Sequence, residues 1–397
     1  MLSNIWKIYL LAAISFLNGT SEYVIAGILD RIAEANNISV SSAGQLITVF
    51  SIAFGAGTPF LIAMTARLER KKLLVYALTV FSVINILIAI ITGYEMLMAA
   101  RIISALSAGV IQVTLLTLAA VLAAPGKQGG AIATVVTGQS TALVVGVPIG
   151  RVVASHYDWN VIFIGLGLVG LLFAALASFT IPKTVAEEPV PLREQFKFLM
   201  KPRISAYLLI TFLWLGSYSI VFTYISPYFL NTFGMSNQGV TTALFIFGIA
   251  SAIGSKLGGF STDKWGSFRT LTGGILLHAI ALLLFPFIGQ FAFLFYVLLI
   301  FWALSAWSSG APIQFQLISL APAAASIVLS LHSAFGQLGM AAGAGIGGVA
   351  VKNGLLNYIP WIGAFALAVS VVVIVADNVL SKRKQTKQTQ SNLCIEK

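Results

Sequence analysis

The sequence predicts an all-α membrane protein, with twelve transmembrane helices in two pseudo-symmetric six-helix bundles. Three observations carry that expectation. Of 397 residues, 58% are hydrophobic and only 9% are charged, against roughly 25% charged in a soluble domain, and the mean hydropathy is +0.95. Twelve apolar stretches reach the ~20 residues a helix needs to cross a bilayer. The second half of the chain repeats the first at a shift of 197 residues. A water-soluble fold of this length cannot cover itself with 35 charged side chains. A soluble enzyme, a nucleic-acid-binding module and a disordered chain are therefore excluded.

The helices follow in chain order. The first, α1 (8–29), is too long for the core of a cleavable signal and contains Glu22. A basic loop separates α2 (44–65) from α3 (73–92), and Thr92-Gly93 turns the chain into α4 (95–120), which carries Arg101. Pro125-Gly126 precedes the glycine-rich α5 (131–153), and α6 (160–181) completes the first bundle. The connection 182–203 is long, proline-bearing and amphipathic at Leu192, Phe196 and Leu199, which suggests a linker with a short helix on the membrane surface. The second bundle holds α7 (204–229), α8 (240–260), α9 (270–289), α10 (292–316), α11 (324–350) and α12 (358–379). The expected organisation is thus 1–181 and 204–380 for the bundles, 182–203 for the linker and 381–397 for a polar tail. The tail holds the single cysteine, Cys394, read as an inert thiol that excludes an intrachain disulfide.

The formal net charge of +11 reads as topology. With the N-terminus inside, 19 of the 23 Lys and Arg fall in inner segments, among them Arg67, Arg70, Lys71, Lys72, Lys264 and Arg269. Arg31, Arg101, Arg151 and Lys352 are the exceptions. This bias is the positive-inside rule. It places both termini in the cytoplasm and leaves no need for a nucleic-acid partner.

The repeat aligns Ala66-Arg67 with Asp263-Lys264, Gly19 with Gly216, and Gly146, Ile149 and Gly150 with Gly343, Ile346 and Gly347. A duplicated six-helix unit suggests a transporter with its site between the halves. Together, twelve helices, the central basic linker and these motifs resemble the major facilitator superfamily over essentially the whole chain. Within it, the sequence resembles the twelve-helix drug:proton antiporters of the sugar, purine and drug efflux subgroup. The stretches Ser41-Ser42-Ala43-Gly44-Gln45-Leu46 and Ala66-Arg67-Leu68-Glu69-Arg70-Lys71 look like those of bacterial purine-efflux pumps.

That resemblance implies a fold and a set of roles. Gly259, Asp263, Lys264, Gly266 and Arg269 match the family's loop motif, whose charge cluster gates the cytoplasmic side; the first copy keeps Arg67 but has Ala66 for the acid. Gly138, Gly146, Pro148 and Gly150 resemble the antiporter motif of α5. Its glycines permit close helix approach and its proline a bend, read here as a contact between halves suited to rocking. Arg101-Ile102-Ile103-Ser104 with Gly109 resembles the family's α4 arginine motif, which the resemblance ties to proton coupling.

Intramembrane charge is the sharpest signal read from the residues themselves. Only Glu22 among the acids and Arg101 among the bases lie well inside a span. Each costs about 2.5–3.5 kcal/mol at the bilayer centre without a partner or a wet cavity. Glu22 lies ~12 Å and Arg101 ~9 Å from the outer ends of their helices, at 1.5 Å per residue. Ser15, Asn18 and Glu22 share one face of α1, and Arg101, Ser104, Ala108 and Gln112 one face of α4. Glu22 is the expected proton carrier, tuned by Arg101. Asn18, Gln112, Gln139, Trp214, Tyr218, Trp302, His332 and Gln337 are candidate solute contacts, and His278 is read as peripheral. No Walker loop, zinc spacing or catalytic triad is present in the sequence.

The expected function is a proton-coupled antiporter in the cytoplasmic membrane. It is expected to be a monomer, driven by the proton gradient without cofactor or metal, and to export a drug, purine, nucleoside or sugar by alternating access. An importer or uniporter of the same fold is the alternative. A sensor or enzyme on this scaffold is a more distant one, since no catalytic cluster or extra domain is seen.

Overall fold

A bilayer core offers the backbone no hydrogen-bonding partner, so each span must satisfy itself as helix. In the computed structural model twelve apolar helices do so. The described residues are all but 1, 66, 91–92, 125–127, 184–196, 288–291 and 396–397, and among them there is no strand. The spans are Ile5–Gly27 (α1), Val40–Met64 (α2), Arg70–Ile88 (α3), Tyr94–Leu122 (α4), Gly130–His156 (α5), Asn160–Thr180 (α6), Pro202–Phe222 (α7), Asn237–Trp265 (α8), Ser267–Phe287 (α9), Phe293–Leu320 (α10), Ile327–Lys352 (α11) and Leu356–Val379 (α12). Twelve crossings put both termini on one face, called here the terminal side; the opposite face is the far side. Of the helix expected in the linker, Leu192 and Phe196 lie outside the described residues, while residues 197–199, with Leu199, are helical.

Prolines explain where the spans depart from uniform helix. Expected through residue 229, α7 ends at Phe222, and the chain resumes as a separate helix, Ile225–Phe233. Pro227 has no N–H for the carbonyl four residues back, so a continuous helix is interrupted and the proline sits in the first turn of a new one. Pro59 and Pro148 each follow a wide π turn, Ala53–Gly57 in α2 and Ala142–Gly146 in α5. Such a turn absorbs the missing bond without ending the span. The last helix runs from Ile359 to Ile395, so the tail continues α12.

The repeat is legible in the backbone. Ser39 caps α2 by accepting from Ser42 N at 3.0 Å, and Ser236 caps α8 by accepting from Gly239 N at 3.1 Å. A short helix follows α1 (Leu29–Ala35), as one follows α7. A methyl group built on Gly19 would press on Ala142, and one on Gly216 would press on Gly339. Glycines thus join α1 to α5 and α7 to α11 in matching ways.

This corrects one expectation. The α5 glycines do not form the contact between halves. Gly138, Gly146 and Gly150 close on Ala12, Thr20 and Val24 of α1, within the first bundle. The other face of α5 meets the second bundle, where Gly248 of α8 lies against the backbone of Leu143 and Val144.

Candidate functional site

Glu22 sits in the last third of α1, buried at the junction of the bundles. Its carboxylate accepts from Gln139 Nε2 of α5 at 3.2 Å and from Gln337 Nε2 of α11 at 2.7 Å. Sequence reasoning singled out both glutamines as solute contacts; the structure brings them to the acid. Gln337 comes from the opposite bundle, so the carboxylate itself joins the two halves.

Arg101 is fully buried beside it but makes no ion pair with Glu22. Its Nη1 donates to the Ser21 carbonyl at 3.2 Å, and its guanidinium lies 4.2 Å over the Phe50 ring. Asn18 Nδ2 donates to the Ala108 carbonyl at 3.3 Å, which fixes the register of α1 against α4. Gln112 lies one turn further along α4, partly exposed.

The aromatic candidates belong to the second bundle's packing. Trp214 Nε1 donates to the Ala306 carbonyl at 2.8 Å, and His332 Nδ1 shares a bond of 2.9 Å with Thr211 Oγ1. Tyr218 stacks on Phe222 at 4.8 Å, and Phe247 lies 4.8 Å from Trp302. Trp302 Nε1 donates to His278 Nε2 at 2.9 Å. His278 is fully buried, so its expected peripheral placement is corrected: α9 packs on α10 and turns its imidazole inward to meet the indole N–H.

A small cavity adjoins Glu22, with only ≈ 10 Å³ of water-accessible space, about room for one water. Tyr23, Ile47, Phe50 and Ser51 line it from the first bundle, and Ser219, Phe222, Thr223 and Met340 from the second. None of the eight candidate solute residues lines it. Phe222 and Met340 read in the sequence as ordinary span residues, so composition gave no signal for them.

Beyond Glu22, toward the far side, the halves are sealed. Ser41 Oγ of α2 donates to the Gly348 carbonyl of α11 at 2.7 Å. Ser226 Oγ donates to the Ala26 and Gly27 carbonyls at 3.1 and 2.9 Å. Arg151, 1% exposed, donates to the Gly27 carbonyl at 3.1 Å, binds the Asp30 carboxylate, and reaches Asn237 Oδ1 of α8 at 2.7 Å. The sequence marked Arg151 only as an exception to the charge bias; its pairing was not legible there. Among the described residues, every side-chain hydrogen bond between the halves lies at the level of Glu22 or beyond.

Toward the terminal side the halves make no such bond among the described residues. Asp263, Lys264, Arg269 and Arg67 are exposed there. Lys264 Nζ lies 5.8 Å from the Phe260 and Trp265 rings, and Asp263 makes no ion pair among the described residues. Gly259 faces open space, whereas Gly258 packs on the Ser308 backbone. Pro148 follows the π turn of α5, opposite α1.

Comparison with known proteins places this architecture. The family model of the Major Facilitator Superfamily matches residues 11–344. The chain belongs to the major facilitator superfamily. It is 46% identical over 371 residues to the uncharacterized MFS-type transporter YbcL of Bacillus subtilis strain 168, covering 94% of this chain and 95% of that one. It is 28% identical to the inner membrane transport protein YdhP of Escherichia coli K12, over 94% of this chain and 95% of the other. A bacterial homolog to the human lysosomal transporter Spinster, crystallised inward-facing and unoccupied, shares the fold with a TM-score of 0.73 at 17% identity, over 94% of this chain and 95% of that one. As a member of the superfamily, the protein is a multi-pass membrane transporter that works by alternating access. On one side of Glu22 side-chain hydrogen bonds bridge the halves, and on the other, among the described residues, none does, an asymmetry that suits such a mechanism.

Proposed function

We propose that the protein is a proton-coupled antiporter that exports a small organic solute, with Glu22 carrying the proton. The observation that carries this reading is the bond from Gln337 of the second bundle to the Glu22 carboxylate. A charged carboxylate accepts that bond strongly, and protonation weakens it. Proton occupancy is thereby linked to whether the halves meet, which is what coupling demands. Arg101, buried on α4, holds its guanidinium near the acid.

The charge bias puts the termini in the cytoplasm of a cytoplasmic membrane, and the sealed far side then makes this the inward-facing state. Cys394, the single cysteine, tests the sidedness. A membrane-impermeant maleimide should label it in inside-out vesicles and not in intact cells; the reverse result overturns the orientation. In the same vesicles, a panel of ethidium, hypoxanthine, inosine and lactose should contain at least one solute accumulated only under a proton gradient. Glu22→Gln should abolish that accumulation while the protein still folds. Undiminished gradient-driven accumulation in the variant removes Glu22 as the carrier. Few charges line the site, so a neutral, cationic or planar polar solute suits it better than a multivalent anion. A monomer with no cofactor completes the reading.

A further inference from the structure

Between α1 and α4, inside the first bundle, lies a row of polar atoms that neither the transporter fold nor the sealed far side explains. Arg101 Nε and Nη2, Ser104 Oγ, Asn18 Oδ1, Ser15 Oγ and Gln112 Oε1 are all buried and all lack a protein partner. They are not scattered. The bonds from Arg101 to the Ser21 carbonyl and from Asn18 to the Ala108 carbonyl set two antiparallel helices in register. Arg101 and Ser104 therefore lie at the level of Glu22, Asn18 faces Ala108 one turn away, and Ser15 and Gln112 come next. The row starts at the proton carrier and runs ~10 Å toward the terminal side, at 1.5 Å per residue over seven residues of α1.

An unsatisfied buried polar group costs about 1–3 kcal/mol, and a charged one more. Five residues paying this cost on two facing surfaces is not a stable arrangement unless something small completes their bonds. Water does so where a site is polar, has room for one molecule and offers it two or more polar partners. The walls leave no room for a solute: Ala105 and Ala108 are fully buried, as are Leu11 and Leu115 just past the row. Those two leucines stopper the α1–α4 seam, so the row can leave it only sideways, past the partly exposed Gln112, into the opening between the halves.

We propose that a file of water between α1 and α4 leads from Glu22 to the space between the halves on the terminal side, so that the proton covers the stretch next to Glu22 apart from the solute. This rests on reading Glu22 as the proton carrier. The hydroxyls of Ser104 and Ser15 both donate and accept, as a relay requires. Among the described residues, the titratable groups at the file are Glu22 at its head, Arg101 beside it and Tyr23, which lines the small cavity with Glu22. Phe50 from α2 covers the guanidinium and Gln139 from α5 holds the acid in place. The polar atoms of the file lie within one bundle and keep their register when the halves rock; only its mouth past Gln112 opens on the space between the halves.

The test follows the carboxyl group itself, with no solute needed. In purified full-length protein in lipid nanodiscs, infrared difference spectra identify the protonated Glu22 band as the one lost in Glu22→Gln. Its hydrogen–deuterium exchange after transfer to D2O is then timed. Ser104→Val and Gln112→Leu, which replace relay atoms by hydrocarbon, should slow that exchange by roughly tenfold or more. Thr114→Val is the control: it removes an α4 hydroxyl that bonds only its own helix, to the Val110 carbonyl at 2.7 Å, and should leave the rate unchanged. Unaltered exchange in both file variants overturns the proposal. If no band is lost in Glu22→Gln, the carrier reading fails instead. The file is then decided by a high-resolution density map, where absence of ordered water on Asn18 Oδ1, Ser104 Oγ and Gln112 Oε1 overturns it.

Discussion

The two bundles share a backbone plan and fill it with opposite chemistry. In the first, α1 and α4 face each other with Glu22, Arg101, Asn18 and Ser104, and several of their polar atoms lack a protein partner. In the second, the space among α7, α8, α9 and α10 is packed with Tyr218, Phe222, Phe247, Phe285 and Trp302. Glu22 corresponds under the 197-residue shift to Ser219, and both line the same small cavity from opposite sides. The glycine seams α1–α5 and α7–α11 hold both bundles together in the same way. Duplication thus preserved the packing, which depends on small residues at fixed spacing. One bundle carries charge, and the other a rigid aromatic wall.

Six substitutions break or sharpen that contrast. The largest effect belongs to the charged interior: Arg101→Met should lower gradient-driven transport by roughly a hundredfold or more, measured in inside-out vesicles. Tyr218→Phe in the aromatic interior should change it little. Comparable losses would mean that the halves do not divide the labour.

Arg151→Met comes next, because it removes a buried cation that binds both Asp30 and Asn237. Losing one partner of a buried pair costs about 3–5 kcal/mol, here drawn from the far-side-sealed state alone. Spin labels on Glu34 and Asn353, one on each half at the far side, should shift to longer separations. An unchanged distance distribution would show that the arginine is not what seals this side.

The glycine seams give a matched pair. Gly343→Val and Gly146→Val should each lower the melting temperature, with overpacking costing about 1–3 kcal/mol. Gly343 should lose more, since its added carbon meets the Gly216 backbone, whereas that of Gly146 meets the Thr20 side chain, which can rotate. Equal losses, or the reverse order, would count against the seams as drawn. The smallest effect is Trp302→Phe, which leaves His278 Nε2 without its donor at about 1–3 kcal/mol. Thermal stability should fall while the gradient dependence of transport stays the same; a change in coupling would move the aromatic bundle into the mechanism.

Some of the site was legible before any coordinates. An acid and a base inside hydrophobic spans are conspicuous, and helical spacing placed Asn18 with Glu22, and Ser104 and Gln112 with Arg101. The partners were not. Gln139 and Gln337 lie 117 and 315 residues from Glu22, and nothing local distinguishes a glutamine that meets a carboxylate from one that meets a solute. His278 read as peripheral because a lone histidine on an apolar helix has no visible partner until α10 supplies the Trp302 N–H. The α5 glycines were visible as a close-contact face, but which helix they contact was not.

Span number and the internal repeat were fixed by the chain alone, because hydropathy and backbone satisfaction act within one segment at a time; the turns read at Thr92-Gly93, Pro125-Gly126 and Gly289-Gln290 fall wholly or partly outside the described residues. The scarcity of buried charge was likewise fixed by the chain. Tertiary structure decided which carboxylate is held by which amide, which side is sealed, and which arginine seals it. Those outcomes depend on the rotation and axial register of each helix against neighbours hundreds of residues away. Each such choice turns on a few directional bonds of about 1 kcal/mol net, too small and too distant to leave a pattern in a single sequence.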